Sequence, residues 1–293
     1  MSAQRTLRDA APWTSVATVP MHDLAQGLRL WSRPATMQRA RERLAEAAAQ
    51  EPATTMIGSG DFHHLAVLLM EHAREPITIV HFDNHPDWVR WAPRWHCGSW
   101  VNQALKLEQV AKIVTLGPCS DDLVRPEFKG ANLRALAAGK IVLLPWRHAP
   151  SRVWRRIADG AGHRCADGHL HWRNLADASS TDNLAYVLDQ IDTDAVWLTI
   201  DKDVLPESEA LTNWDQGQMP LRAILDLVAG IGARKRIVGA DICGEFSVPA
   251  MPGLFKRIES RLDRPQRSAD PARLARNEAV NRELLAAIGR AAA

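Results

Sequence analysis

With 293 residues, 46% of them hydrophobic and 24% charged, the chain has enough material to bury a sizeable core without disulfide or metal staples. Its 36 basic and 34 acidic side chains leave a net charge of +2, without the concentrated positive charge that a nucleic-acid or anionic-membrane partner demands. Residues 1–20 carry charges and prolines where a secretory leader needs an apolar run. Cys97, Cys119, Cys165 and Cys243 form no CxxC pair, so a reducing cytoplasm is the expected location.

Taken in chain order, the hydrophobic pattern predicts a helix over 37–50, a strand over 54–58 and a helix over 65–74. A strand over 77–82, a helix over 100–109 and strands over 112–117 and 140–145 follow. The segment 150–178, with Trp154, His163, His169, His171 and Trp172, fits neither period. Beyond it the pattern gives a helix over 181–190, a strand over 195–200, a helix over 221–232 and a strand over 236–240. The Ala-, Arg- and Glu-rich stretch 270–293 reads as a C-terminal surface helix, over 271–290 in its periodic part. Strands that alternate with helices and read as continuous apolar runs predict an α/β fold, a three-layer α/β/α sandwich around a mainly parallel sheet.

Polar clusters follow the strands of this plan: 61–64, 83–87, 201–203 and 241–245. In open α/β sheets, ligands bind beyond the carboxyl ends of the strands, so the four clusters are expected to converge on one crevice. Asp83-Asn84-His85-Pro86-Asp87 places three ligand-type side chains at every second residue. Taken alone it is equally a turn, because Asp, Asn and Pro are turn formers. Asp201-Lys202-Asp203 is by itself an ordinary capping sequence, and a lone histidine in Asp61-Phe62-His63-His64 is usually structural. Together they supply one His, then Asp-His-Asp, then Asp-Asp. That donor set suits two divalent cations, because crowded buried carboxylates need a neutralising charge. Oxygen-rich donors without thiolate favour two Mn(II), with Fe(II), Co(II) or zinc as alternatives.

Asp83-x-His85-x-Asp87, Asp201-x-Asp203 and the Gly-Asp-containing His63 segment resemble the metal motifs of the ureohydrolases: arginase, agmatinase, formimidoylglutamase and relatives. The likeness runs from about residue 54 to 246 and keeps the order of the motifs. It implies a single arginase-like domain over 1–293, with an N-terminal extension over 1–50 and the C-terminal helix over 270–293. It implies that His63, Asp83, Asp87 and Asp201 hold one Mn(II) and that Asp83, His85, Asp201 and Asp203 hold the other. Asp83 and Asp201 would bridge. The implied reaction is hydrolysis of a linear C–N bond by a metal-bridging hydroxide that attacks the carbon of a small guanidino or amidino substrate. In this scheme Asp87 orients the nucleophile, His96 shuttles a proton to the leaving amine and Glu245 pairs with the substrate guanidinium. A homo-oligomer is also implied.

Departures from the family pattern concentrate on the substrate side. Phe62 separates Asp61 from the histidines, leaving His63 or His64 as the ligand. His63 keeps the register with Leu65-Ala66. Cys97 intervenes between His96 and Gly98, Glu245 lies four residues after Asp241 instead of three, and 204–217 lacks the family's Gly-Thr-Gly loop. A divergent branch is expected, its alternatives being a non-catalytic or regulatory metal-binding homologue and a metal-dependent deacylase. Trp88, Trp91, Trp95 and Trp100 are read as packing before pocket walls, and His163, Cys165, His169 and His171 as an ordinary polar loop.

Overall fold

A computed structural model of the protein describes residues 17–47, 54–248, 253–262 and 270–292. The expected N-terminal extension up to residue 16, the end of the first expected helix (48–50) and Ala293 lie outside the described residues.

The strands are β1 (Trp31–Ser32), β2 (Thr54–Met56), β3 (Ile77–Phe82), β4 (Trp95–His96), β5 (Val110–Leu116), β6 (Ile141–Leu144), β7 (Ser151–Arg152), β8 (His163–Ala166), β9 (His169–Trp172), β10 (Ala195–Asp201) and β11 (Arg236–Cys243). The helices are α1 (Ala25–Leu28), α2 (Pro34–Ala47), α3 (Ala66–Met70), α4 (Val101–Ala104), α5 (Leu133–Ala137), α6 (Ser180–Asp189), α7 (Leu221–Gly232), α8 (Leu254–Leu262) and α9 (Pro271–Ala291). Six strands form one sheet in the order β2-β11-β10-β3-β5-β6, and every pairing is parallel. All residues of β3 and β10 are buried, which is why both read as unbroken apolar runs.

Period-two alternation divides these strands between two cores. Ile77 and Ile79 of β3 and Ala195 and Trp197 of β10 face one cluster, packed under α2, α3 and α4. Val80, Phe82, Val196, Leu198 and Ile200 face the other, packed under α6, α7 and α9. The same alternation carried to the carboxyl ends puts His81, Asp83, Thr199, Asp201, Asp241 and Cys243 on the face of the first core. Register confirms it: Thr199 sits beside Asp241, and Asp201 beside Cys243. The three-layer α/β/α sandwich is therefore present, and one face of its sheet turns from apolar to polar along the strands.

Several expectations differ from the fold, among them the helix over 100–109, which shortens to α4. The helix over 65–74 shortens to α3, preceded by a 3-10 turn over Gly60–Leu65. The segment 150–178 forms a three-stranded antiparallel sheet, β7-β9-β8. The C-terminal helix is not confined to the surface: Val280, Leu284, Leu285 and Ile288 enter the second core, and Asn277 and Asn281 are fully buried.

Candidate metal centre

The turn after β2 delivers His63. Ser59 caps that 3-10 turn by accepting from the amide of Asp61, and Asp61 pairs with buried Arg29 rather than entering the cluster. Gly60 allows the approach to β10, since a Cβ there would lie 2.5 Å from Asp201 Oδ2. On the opposite side Gly244, at φ +88°, turns the chain so closely that a Cβ would lie 2.5 Å from Asp201 Oδ1. Asp201 is thus held between two backbones.

His63 is 1% exposed, and its Nδ1 lies 3.2 Å from Asp83, 3.3 Å from Asp87 and 3.7 Å from Asp201. Its other nitrogen is set by a relay. Trp197 Nε1 donates to one oxygen of Asp241 (2.7 Å) and Thr199 Oγ1 donates to the other (2.7 Å). The Thr199 hydroxyl, its proton committed, accepts from His63 Nε2 at 2.8 Å. With Nε2 committed to Thr199, Nδ1 is the nitrogen that faces three carboxylates, and it has no hydrogen-bond partner. A buried ring nitrogen facing three acids calls for positive charge, which a proton or a metal ion at Nδ1 would supply.

Asp83 divides its oxygens. Oδ2 faces His63 and accepts from His81 Nε2 at 2.8 Å, while Oδ1 accepts from the His85 amide at 2.7 Å and lies 3.5 Å from His85 Nδ1. His85 Nδ1 is 3.1 Å from Asp203 Oδ2, and its Nε2 donates to Asp215 Oδ1 at 2.9 Å. A carboxylate on the far nitrogen of a ligand histidine is the usual means of fixing its tautomer. Asp87 adopts φ +45°, a left-handed conformation rare outside glycine, and its Oδ2 accepts from Trp100 Nε1 at 2.6 Å.

The electrostatics agree with the geometry. Burial pushes Asp87, Asp201 and Asp203 upward, and the neighbouring charge of Asp83 adds to each; Asp203 also feels Asp201 and is driven well above the carboxylate range. Asp83 moves the other way: burial opposes it, but His81 and the neighbouring imidazoles of His63 and His85 hold it well below. His63 is held well above the imidazole range despite its burial, because Cys243, Asp83 and Asp87 favour its cation. Four buried acids and three histidines crowd together there, and the donor atoms group as His63–His81–Asp83–Asp87, Asp83–His85–Asp203 and His63–Asp201–Cys243.

His64, the alternative ligand, lies apart from these groups. Its Nε2 is 3.1 Å from Ser32 Oγ, and burial pushes its pKa down to about 3, helped by the nearby cations His96, Lys256 and His63. His96 stands on β4, where its Nδ1 accepts from the Gly98 amide at 2.9 Å. A Cβ at Gly98 would lie 3.4 Å from His96 Nδ1 and 3.9 Å from Asp87 Oδ1, so the two residues flank that glycine. Glu245 is brought to the same end of the sheet, but its Oε1 accepts from buried Lys202 Nζ (2.5 Å) and from Asn281 Nδ2 (2.6 Å). That ion pair neutralises the carboxylate inside the protein and holds its pKa below the usual range despite burial. Trp88 and Trp100 are fully buried and Trp95 nearly so, while Trp91 is 66% exposed.

Sequence reasoning passed over His81, Cys243 and Asp215. The first two were findable, because they share strand parity with Asp83 and Asp241. Asp215 lies 130 residues from His85 on an irregular loop and leaves no periodic signal.

A doubly covered parallel sheet with histidines and carboxylates gathered at its carboxyl ends defines an α/β architecture with a buried cluster of ligand-type side chains. The chain belongs to the arginase family, whose pattern matches residues 2–247. An uncharacterized protein of Thermotoga maritima is 29% identical over 191 residues, 65% of this chain and 57% of that relative, so the match spans little more than half the relative's length. The fold is similar to proclavaminate amidino hydrolase from Streptomyces clavuligerus (TM-score 0.56, 14% identity, 89% of this chain and 71% of that one). It is equally similar to an arginase from Bacillus subtilis (TM-score 0.56, 14% identity, 93% and 82%).

Proposed function

We propose that the chain hydrolyses a linear C–N bond of a guanidino or amidino compound at a two-metal site formed by His63, Asp83, His85, Asp87, Asp201 and Asp203. The observation that carries this reading is the bare Nδ1 of His63 facing Asp83, Asp87 and Asp201 in a buried crevice. Asp83 suits a shared role because its two oxygens face different histidines. Family likeness favours Mn(II), and the donors also suit Fe(II), Co(II) or zinc. Bound there, the cations would supply the Lewis acidity that makes water nucleophilic near neutral pH.

The residues have the remaining tasks. Asp87, one oxygen held by the Trp100 indole, would accept a proton from the attacking water. His96 accepts from Gly98 through Nδ1, so its Nε2 carries the proton that a leaving amine would take. His85 is 15% exposed and Asp215 51%, which puts the mouth of the site on their side. There Asp215, whose oxygens accept from His85 Nε2 and Asn84 Nδ2 while its side chain stays half-exposed, would meet a cationic substrate. Glu245 would meet a guanidinium only by exchanging Lys202 for it. The chain would work as a single arginase-like domain, in a cytoplasmic homo-oligomer.

The Lys202–Glu245 pair favours a second reading, a metal-binding homologue that does not turn over guanidines. Urea or ammonia release from a panel of guanidino and amidino compounds with added Mn(II) decides between them. Turnover of any member supports the hydrolase. Two bound cations per chain without turnover leave the second reading in its place.

A further inference from the structure

Cys243 occupies an unusual position for a buried cysteine. It is 0% exposed, yet it belongs to neither apolar core, whose nearest member on its strand is Ile242, facing the opposite side. Its register partner is Asp201, and its Sγ lies 3.1 Å from Asp201 Oδ2. The other oxygen of Asp201 accepts from the Asp203 amide, so Oδ2 is the one turned to the crevice. His63 Nδ1 approaches that same oxygen at 3.7 Å, is 1% exposed and has no hydrogen-bond partner. One imidazole, one carboxylate and one thiol therefore converge, each donor atom within 4.8 Å of the others.

We infer that Cys243 is a metal ligand, and that the two subsites differ in softness. The inference rests on the two-metal reading above. The subsite of Asp83, His85 and Asp203 offers two carboxylates and an imidazole, a hard set suited to Mn(II). The subsite of His63, Asp83, Asp87 and Asp201 gains a sulfur donor in Cys243, which selects thiophilic divalent ions such as Zn(II) or Co(II). A buried cysteine that served only as a small apolar filler would sit among aliphatic side chains. This one sits among a carboxylate and an unpartnered imidazole. On metal binding the thiol proton is released to solvent and sulfur binds as thiolate.

The test uses the full chain, stripped of metal and kept reduced with a phosphine, and titrated with CoCl2. The expected result is an intense near-ultraviolet thiolate-to-cobalt charge-transfer band. The band vanishes in Cys243→Ser, which still binds Co(II), and survives in Cys97→Ser. In competition, the preference for Zn(II) over Mn(II) falls about tenfold or more in Cys243→Ser. Bound Co(II) without the band overturns the ligand assignment and leaves the two-metal reading standing. Failure of Co(II), Zn(II) and Mn(II) alike to bind overturns both. Should Cys243→Ser not fold, X-ray absorption at the zinc edge of the wild-type chain decides. A sulfur neighbour at about 2.3 Å supports the inference, and a shell of nitrogen and oxygen alone overturns it.

Discussion

Two histidine-rich regions of this protein behave in opposite ways. On the β7-β9-β8 sheet, His163 Nε2 donates to the Ala158 carbonyl at 2.9 Å and His169 Nδ1 to the Asp167 carbonyl at 2.8 Å. Burial pushes the His163 pKa down, opposed by that carbonyl and by Asp159. At the ends of β3 and β10, His63 is as deeply buried, yet Cys243 and the neighbouring carboxylates hold its pKa well above the imidazole range. Density of ligand-type residues does not make a cation site. The proposed site differs by the convergence of carboxylates on a buried imidazole, and the parallel sheet supplies that convergence by ending several strands at one place.

The sharpest way to break this contrast is to remove the shared carboxylate. Asp83→Asn should lower metal affinity by more than about 100-fold and bring stoichiometry toward zero by elemental analysis, because both subsites draw on it. The triple change His163→Gln, His169→Gln, His171→Gln should leave stoichiometry as it is; a drop there would end the distinction between the two regions. Next in size is Gly60→Ala. Its methyl would press on Asp201, and a loss of about 1–3 kcal/mol in chemical denaturation is expected, together with weaker metal binding.

Thr199→Val keeps the shape of the core but breaks the relay from Asp241 to His63. Metal affinity should fall about 10–100-fold, and an affinity within twofold of wild type would show that the relay does not orient His63. The smallest effect belongs to His163. Its folded pKa lies below the unfolded value of about 6.5, so the unfolded state binds more protons. The stability this contributes is present above about pH 6.5 and lost as pH falls through the folded value. Urea midpoints at pH 7.5 and 5.5 should therefore differ more in the wild type than in His163→Gln.

Within the candidate site, the residues legible in the sequence were those in short regular motifs. Asp83, His85 and Asp87 alternate directly after a strand, and Asp201 and Asp203 repeat that spacing. The parity of β3 and β11 also carried His81 and Cys243, and the apolar pattern alone drew attention away from them. The sheet over 150–178 escaped because its strands are two to four residues long, too short for a period to register. The role of α9 escaped for a different reason. Its polar face reads as solvated, but Asn281 is fully buried and holds both Lys202 and Glu245.

The proposed cation site, first read from the motifs at 83–87 and 201–203, is also where sequence and tertiary structure part. The sequence by itself determined the parallel α/β order, the strand-end position of the acidic clusters and the arginase-family likeness, because period, turn chemistry and motif spacing are local properties. Only the tertiary structure decided that His63 and not His64 faces the acids, that Cys243 joins them, and that Glu245 is already paired with Lys202. Each of these depends on which way a side chain points across strands 40 to 140 residues apart in sequence. Long-range register sets that direction, and no single segment encodes it.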